Sequence, residues 1–300
     1  MRCFLLLFCL NLGFISLAQV PKVNSGTIHH FEKFNSKYLQ PRNVDVWLPE
    51  GYSSSKKYAV IYMHDGQMLF DSAITWNHQE WKADETITSL LNKKEIKECI
   101  VVGIWNNGDL RHAEYFPKKV LNYLPPALRD TLIDDDLKGS CLSDKYLLFI
   151  VSGLKPFIDS SFSTYPDRSN TFIAGSSMGG LISMYAICEY PDVFGGAICM
   201  STHWVGSTKH QNFSAFSNAF KSYLSAALPD SKTHRLYFDY GNRTLDSLYR
   251  PYQLIVDKEL RLKGYAPKSL LTKQFLGDDH SEKSWSKRFA TPLLFMLKRP

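Results

Sequence analysis

The sequence predicts an α/β fold in which a mostly parallel sheet carries helices on both faces. Three features predict it: apolar runs of strand length, helix-period segments falling between them, and a Gly-rich turn where one such run enters a helix. Residues 44–48 alternate like a strand and stop at Pro49, and 58–63 form a continuous apolar run of the fully buried kind. Residues 81–91 read as a helix, because Trp81, Ile87, Leu90 and Leu91 can share one face. A second buried strand covers 100–104. The polar, aromatic stretch 105–144 keeps no period and is expected to be a long excursion with little regular structure. After it, helices at 146–162, 178–190, 213–228, 252–262 and 281–297 alternate with strands at 171–174, 196–200, 236–240 and 270–275. No repeat and no Pro- or Ser-rich linker interrupts the series, so one domain is expected over 19–300.

The composition suits such a domain. Of 300 residues, 44% are hydrophobic and 21% charged, with 17 Gly and 14 Pro, which excludes disordered, collagen-like and disulfide-scaffold chains. The net charge of +6 is spread along the chain rather than gathered in basic runs, so no nucleic-acid partner is expected. The first 18 residues fall outside the domain: Arg2, an apolar run from Cys3 to Leu17, and small Ser16 and Ala18 form a secretory leader cleaved after Ala18. That run is too short to span a bilayer, and no later segment reaches the necessary length. Export is therefore expected, with no membrane span after cleavage. Cleavage leaves Cys99, Cys141, Cys188 and Cys199, of which Cys99, Cys188 and Cys199 fall in apolar strands or a helix where buried, inert thiols sit. His29 and His30 lie in an alternating stretch and read as a strand surface. No pattern of metal-ligand spacing occurs, so no metal or cofactor is expected.

Chemistry concentrates at Gly175-Ser176-Ser177-Met178-Gly179, a Gly-x-Ser-x-Gly match. Gly and Ser are common residues, so the match alone has modest specificity. Its context adds to it: an apolar strand, Phe172-Ile173-Ala174, precedes the motif and a helix opens at Met178, as a turn that projects a nucleophilic serine requires. A serine hydroxyl needs a base to take its proton. His280, in the polar loop between the last strand and the last helix, stands at the chain position expected of that base, after Ser and an acid. The acid that orients the imidazole is sought beyond the strand 236–240. Asp246 lies in the loop there, and Asp239, inside the strand, is the competing candidate. The two N–H groups that must hold a tetrahedral oxyanion are expected from Met178 and from Gln67, in His64-Asp65-Gly66-Gln67 after the strand 58–63. His64 and Asp65 are expected to brace that loop.

Four separated segments, Asn43-Val44-Asp45-Val46-Trp47-Leu48-Pro49, Tyr62-Met63-His64-Asp65-Gly66-Gln67-Met68-Leu69-Phe70-Asp71, Gly175-Ser176-Ser177-Met178-Gly179-Gly180 and Asp279-His280-Ser281-Glu282, together resemble the esterase D-like esterases. These are α/β-hydrolases related to family 1 carbohydrate esterases and ferric-enterobactin esterases. The resemblance runs from about Ser36 to Arg288. It implies an α/β-hydrolase fold, Ser177 as nucleophile, His280 as base, Asp246 as acid, and Gln67 and Met178 as oxyanion donors. The family often carries an acidic residue just after the glycine of the acid loop, whereas here Gly241 precedes Asn242 and Arg243.

Substrate contacts are expected from Trp105, Arg111, Glu114 and Tyr115 after one strand and from His203 and Trp204 after another; Arg111 and Glu114 could equally form a structural ion pair. The sequence thus reads as an exported serine carboxylic ester hydrolase acting on an acylated carbohydrate or a similar small ester. Two other readings use the same fold: acyl transfer to a sugar acceptor, and non-catalytic binding of a carbohydrate or siderophore.

Overall fold

The computed structural model describes residues 20–299, so the leader expected over 1–18 lies outside the described residues. In chain order the strands are β1 (Thr27–Phe34), β2 (Arg42–Leu48), β3 (Ala59–His64), β4 (Cys99–Ile104), β5 (Thr171–Ser176), β6 (Gly196–Met200), β7 (Arg235–Tyr240) and β8 (Leu270–Gln274). The α-helices are α1 (Ala83–Asn92), α2 (Arg111–Tyr115), α3 (Pro126–Asp135), α4 (Ser143–Phe149), α5 (Lys155–Ser161), α6 (Met178–Glu189), α7 (Phe213–Ala227), α8 (Arg250–Leu262), α9 (Glu282–Arg288) and α10 (Ala290–Leu297).

All eight strands join one sheet in the order β1-β2-β4-β3-β5-β6-β7-β8. The run from β4 to β8 is parallel, while β1 pairs antiparallel with β2 and β2 antiparallel with β4. Every residue of β3, β4, β5 and β6 is buried, which is why those strands read as unbroken apolar runs. Period-two alternation sorts their side chains onto two cores. Val60, Tyr62, Ile100, Val102, Ile173 and Phe238 face α2 and α4 to α8, and Ala59, Ile61, Val101, Phe172, Ile198 and Tyr237 face α1, α9 and α10. Helix α6 lies deep in the first of these cores, with all of its residues but Glu189 buried. Among the described residues no helix is long and apolar enough to cross a membrane.

Three expectations about elements are corrected. The stretch 105–144 is not a bare excursion: it forms α2, α3 and 3-10 turns, and buries Tyr115, Phe116, Val120 and Leu132 in the core. Its turns, broken by Pro117, Pro125 and Pro126, are too short for a period to emerge. The helix expected over 146–162 starts at Ser143 and passes through a π turn, Ile150–Leu154, before α5; Pro156 has no N–H for the carbonyl four residues back. The helix expected over 281–297 divides at Phe289 into α9 and α10, because Pro292 likewise leaves the Arg288 carbonyl without a partner. Cys99, Cys141, Cys188 and Cys199 are free thiols, and burial pushes Cys99 up to about 12.

Candidate active site

The carboxyl ends of β3, β5, β7 and β8 open on one side of the sheet, and the residues singled out by their chemistry gather there. Ser177 sits between β5 and α6 with φ 57° and ψ −121°, a conformation L-residues seldom adopt and whose cost is of order 1–3 kcal/mol. Close packing holds the turn. A Cβ on Gly175 would lie 2.8 Å from the Gly179 backbone, and one on Gly180 would lie 2.9 Å from the Thr202 hydroxyl. The Ser177 N–H donates to the Met200 carbonyl at 2.9 Å, and the His203 N–H donates to the Ser177 carbonyl at 3.2 Å. The side chain is thereby turned toward a cavity of about 600 Å³ lined also by Gln67, Arg111, His280 and Trp285.

His280 enters that cavity from the loop before α9. Its N–H donates to the Thr244 hydroxyl at 2.9 Å, and its Nδ1 lies 2.6 Å from Asp246 Oδ1. The rings of Tyr249 and Trp285 meet the imidazole edge-on, at 5.7 and 5.1 Å between centroids. Asp246 is fully buried, and its second oxygen accepts from the Gly241 N–H and the Ser201 hydroxyl, each at 2.6 Å. The Ser201 hydroxyl in turn accepts from Trp285 Nε1 at 3.0 Å and from an Arg288 nitrogen at 2.8 Å. Asp239 occupies a different place: it accepts from Arg288 at 3.0 Å and from the Tyr237 hydroxyl at 2.8 Å, and burial pushes its carboxyl up to about 6 against the pull of Arg288. Of the two carboxylates weighed for orienting the imidazole, Asp246 is the one bonded to it. Asp278 pairs with Arg288, and Asp279 accepts from the hydroxyls of Ser281 and Ser284, which hold it below the usual carboxylate range.

Opposite Ser177 lies the turn after β3. Asp65 is left-handed, at φ 57° and ψ 46°, and opens a 3-10 turn, Gly66–Met68. A Cβ on Gly66 would meet the Gly103 backbone at 2.5 Å, so only glycine lets this turn lie against β4. The N–H groups of Gln67 and Met178 each belong to the first turn of a helical segment, where no intrahelical acceptor exists. The dipole of α6 adds positive potential at Met178. Arg111 grips both oxygens of Asp65 at 2.7 and 2.8 Å, and Asn106 adds a third bond at 2.8 Å. Against the upward push of burial, Arg111 holds the Asp65 carboxyl below its ordinary range. His64 bonds to the Tyr146 hydroxyl at 2.8 Å, and burial lowers it to about 3, so the ring is neutral. Both residues brace the turn, as expected.

The substrate contacts expected from sequence separate. Arg111 lines the cavity. Glu114 does not: both its oxygens are taken by Arg42, at 2.7 and 2.8 Å, in a pair sealed from solvent, and the alternative of an Arg111–Glu114 ion pair gives way to Arg111–Asp65. Trp105 is half-buried, its indole donating to Asp45, away from the cavity. Tyr115 is buried beneath the Arg111 guanidinium, 5.0 Å from ring centroid to charge. Trp204 is a core residue bonded to Gln253 at 2.8 Å. His203 lies behind Ser177, its Nδ1 2.8 Å from the Tyr249 hydroxyl; burial lowers it to about 3. A strand end fixes where a chain segment emerges, but the packing of the next turn decides which side chain looks out. Sequence reasoning missed Ser201, Trp285 and Arg288 behind Asp246 and Tyr249 beside His280, for none of them stands in a recognisable spacing.

A family model described as "Putative esterase" matches residues 36–295. The uncharacterized protein YjcH of Bacillus subtilis is 26% identical over 180 residues, 60% of this chain, and the match spans 63% of that protein's length. Among solved structures, the enterobactin esterase FES of Shigella flexneri superposes with a TM-score of 0.65 at 17% identity, over 92% of this chain and 60% of the other. A family 1 ferulic acid esterase of Anaeromyces mucronatus superposes with a TM-score of 0.60 at 18% identity, over 92% of each chain. At these identities the likeness to the two structures is one of fold, the α/β-hydrolase architecture expected from the sequence.

Proposed function

The chain belongs to the esterase family whose model spans residues 36–295, and on that premise we propose that it is an exported serine carboxylic ester hydrolase acting on an acylated carbohydrate or similar small ester. Ser177 attacks the ester carbonyl while His280 accepts its proton. Asp246 holds the imidazole through Nδ1 and stabilises the imidazolium that forms. The N–H groups of Gln67 and Met178 receive the oxyanion. His280 then returns the proton to the departing alcohol, and water releases the acyl group from Ser177 by the same relay. The scheme calls for no cofactor. Residues 1–18 are the leader that directs export, and the rest of the chain is one catalytic domain.

The observation that carries the reading is the 2.6 Å bond from His280 Nδ1 to a fully buried Asp246, beside a cavity that also holds the strained Ser177. Among the described residues no hydrogen bond joins Ser177 to His280; in unliganded sites that contact commonly tightens only with substrate. An acylated carbohydrate is favoured because the cavity is open and lined by polar as well as aromatic side chains, including Asn77, Gln79 and Trp76. The test is hydrolysis by the mature protein, from Gln19, of acetylated xylan, feruloylated arabinoxylo-oligosaccharide, p-nitrophenyl acetate and a catecholate siderophore, alongside Ser177→Ala. Activity on a sugar ester, falling by about 10⁶ in kcat in the variant, is the expected result. Activity that survives Ser177→Ala, or no turnover together with no labelling of Ser177 by a fluorophosphonate, would overturn it.

A further inference from the structure

Most large apolar side chains of this protein are buried, and Trp76 is the conspicuous exception. It is 82% exposed, more than any other large hydrophobic residue among those described, and it lines the same cavity as Ser177 and His280. An indole left in water at the rim of a site is apolar area waiting for a ligand. The loop that carries it is also tied down at several points. Ala73 N–H donates to Asp71 at 2.9 Å, the Thr75 hydroxyl to the Ser72 carbonyl at 3.0 Å, and Trp81 N–H to the Met68 carbonyl at 2.9 Å. Two further bonds fasten it to the start of α9: Asn77 Nδ2 donates to Glu282 Oε2 at 2.7 Å, and Lys283 N–H donates to Gln79 Oε1 at 3.1 Å. The loop that presents the ring is thus held before any ligand arrives, so little backbone ordering entropy is lost when one binds.

Those last bonds also fix which half of an ester the ring meets. Glu282 and Lys283 follow His280 by two and three residues, so the Trp76 loop flanks the cavity on the His280 side. His280 hands its proton to the departing alcohol, and the alcohol half therefore lies on that side. Beside the indole stand the amides of Asn77 and Gln79 and the carboxylate of Glu282. A flat apolar face flanked by amide and carboxylate groups matches a sugar ring, whose C–H face lies on the indole while its hydroxyls reach the polar rim; a negatively charged alcohol half would be opposed by Glu282. We propose that Trp76 is the platform on which the sugar ring of the ester's alcohol half stacks, and so determines preference for carbohydrate over simple alkyl esters. This rests on the hydrolase reading above, which supplies the side on which the alcohol lies.

The test compares two esters of one acid, a feruloylated arabinoxylo-oligosaccharide and methyl ferulate, in the wild type, Trp76→Ala and Trp76→Phe. In Trp76→Ala the KM for the sugar ester should rise about tenfold with kcat unchanged, methyl ferulate hydrolysis should stay as in the wild type, and Trp76→Phe should recover part of the loss. Equal losses on both esters, or no loss on the sugar ester, would overturn the proposal. Binding separates its failure from failure of the hydrolase reading. The feruloylated oligosaccharide, titrated calorimetrically into Ser177→Ala, should bind about tenfold more weakly when Trp76→Ala is added, whereas methyl ferulate should bind both proteins alike. If the wild type cleaves neither ester, the hydrolase reading falls for this class, and the titration alone decides: a Trp76-dependent affinity upholds the platform, and its absence refutes it.

Discussion

The Arg42–Glu114 pair offers a stability test that also decides whether Glu114 touches substrate. Both side chains are sealed, at 2% and 0% relative exposure, and the guanidinium lies near the rings of Tyr146 and Phe149, 5.4 and 5.3 Å from their centroids. Glu114→Gln removes the countercharge and leaves Arg42 a buried cation. Removing one partner of such a pair costs about 3–5 kcal/mol. That is a large part of the 5–15 kcal/mol typical of a folded domain, and at this size it lowers Tm by roughly 10 °C. Replacing both, as Arg42→Met with Glu114→Met, removes the charges together and should recover most of the loss, since an apolar pair of similar volume has no desolvation penalty. The assay is urea unfolding of the wild type, Glu114→Gln and the double variant, with initial rates on p-nitrophenyl acetate normalised to folded protein. The rate should be unchanged in Glu114→Gln, because the pair lies outside the cavity. A loss in Glu114→Gln below about 1 kcal/mol, the range of an exposed pair, would refute the argument, as would a double variant no more stable than Glu114→Gln. A stable Glu114→Gln with a collapsed rate would return Glu114 to the substrate machinery.

Three further outcomes are expected. Asp246→Asn should lower kcat by about 10⁴, through loss of the carboxylate that sets the His280 tautomer, while Asp239→Asn should act chiefly on stability; the reverse pattern in steady-state rates would move the acid to Asp239. Neutral, buried His64 and His203, each held at about 3, bind fewer protons than in the unfolded chain, so their contribution is full above the ordinary histidine range and lost as pH falls. Between about pH 7.5 and pH 5 each should forfeit about 2 kcal/mol, while Asp239 and Asp84, raised to about 6 and about 7, gain stability over the same interval, so the histidine contribution is read from a variant: the change in urea unfolding free energy from pH 7.5 to pH 5 should be about 2 kcal/mol more favourable in His203→Gln than in the wild type, and an equal change in both would contradict a neutral His203. Gly66→Ala should lower kcat more than it raises KM, because the new methyl pushes the Gln67 turn off β4; unchanged kinetics in the folded variant would argue against Gln67 as an oxyanion donor.

The sequence by itself determined the sheet and its faces. Unbroken apolar strands can be buried only between two layers, and helix periods of the right length supplied those layers, so β3 to β8 were legible from local pattern. It also determined the turn from β5 into α6, because Gly175, Ser177 and Gly180 answer a strand-to-helix crossing that few other residues allow. The placing of His280 after a candidate acid was legible as chain order. What only the tertiary structure decided were partnerships between segments far apart in sequence. Asp246 rather than Asp239 meets the imidazole because Arg288, arriving from α9, already occupies Asp239. Arg111 meets Asp65, and Glu114 meets Arg42 across 72 positions of chain, because α2 turns one side chain to the cavity and the next turn of the helix to the core. Trp76 stands in water at the cavity rim because its loop is tied to α9 more than 200 residues later in the chain. Periodicity records which face of an element is buried; it holds no information about which distant carboxylate, amide or ring that face will meet, and in this protein those meetings shape the site.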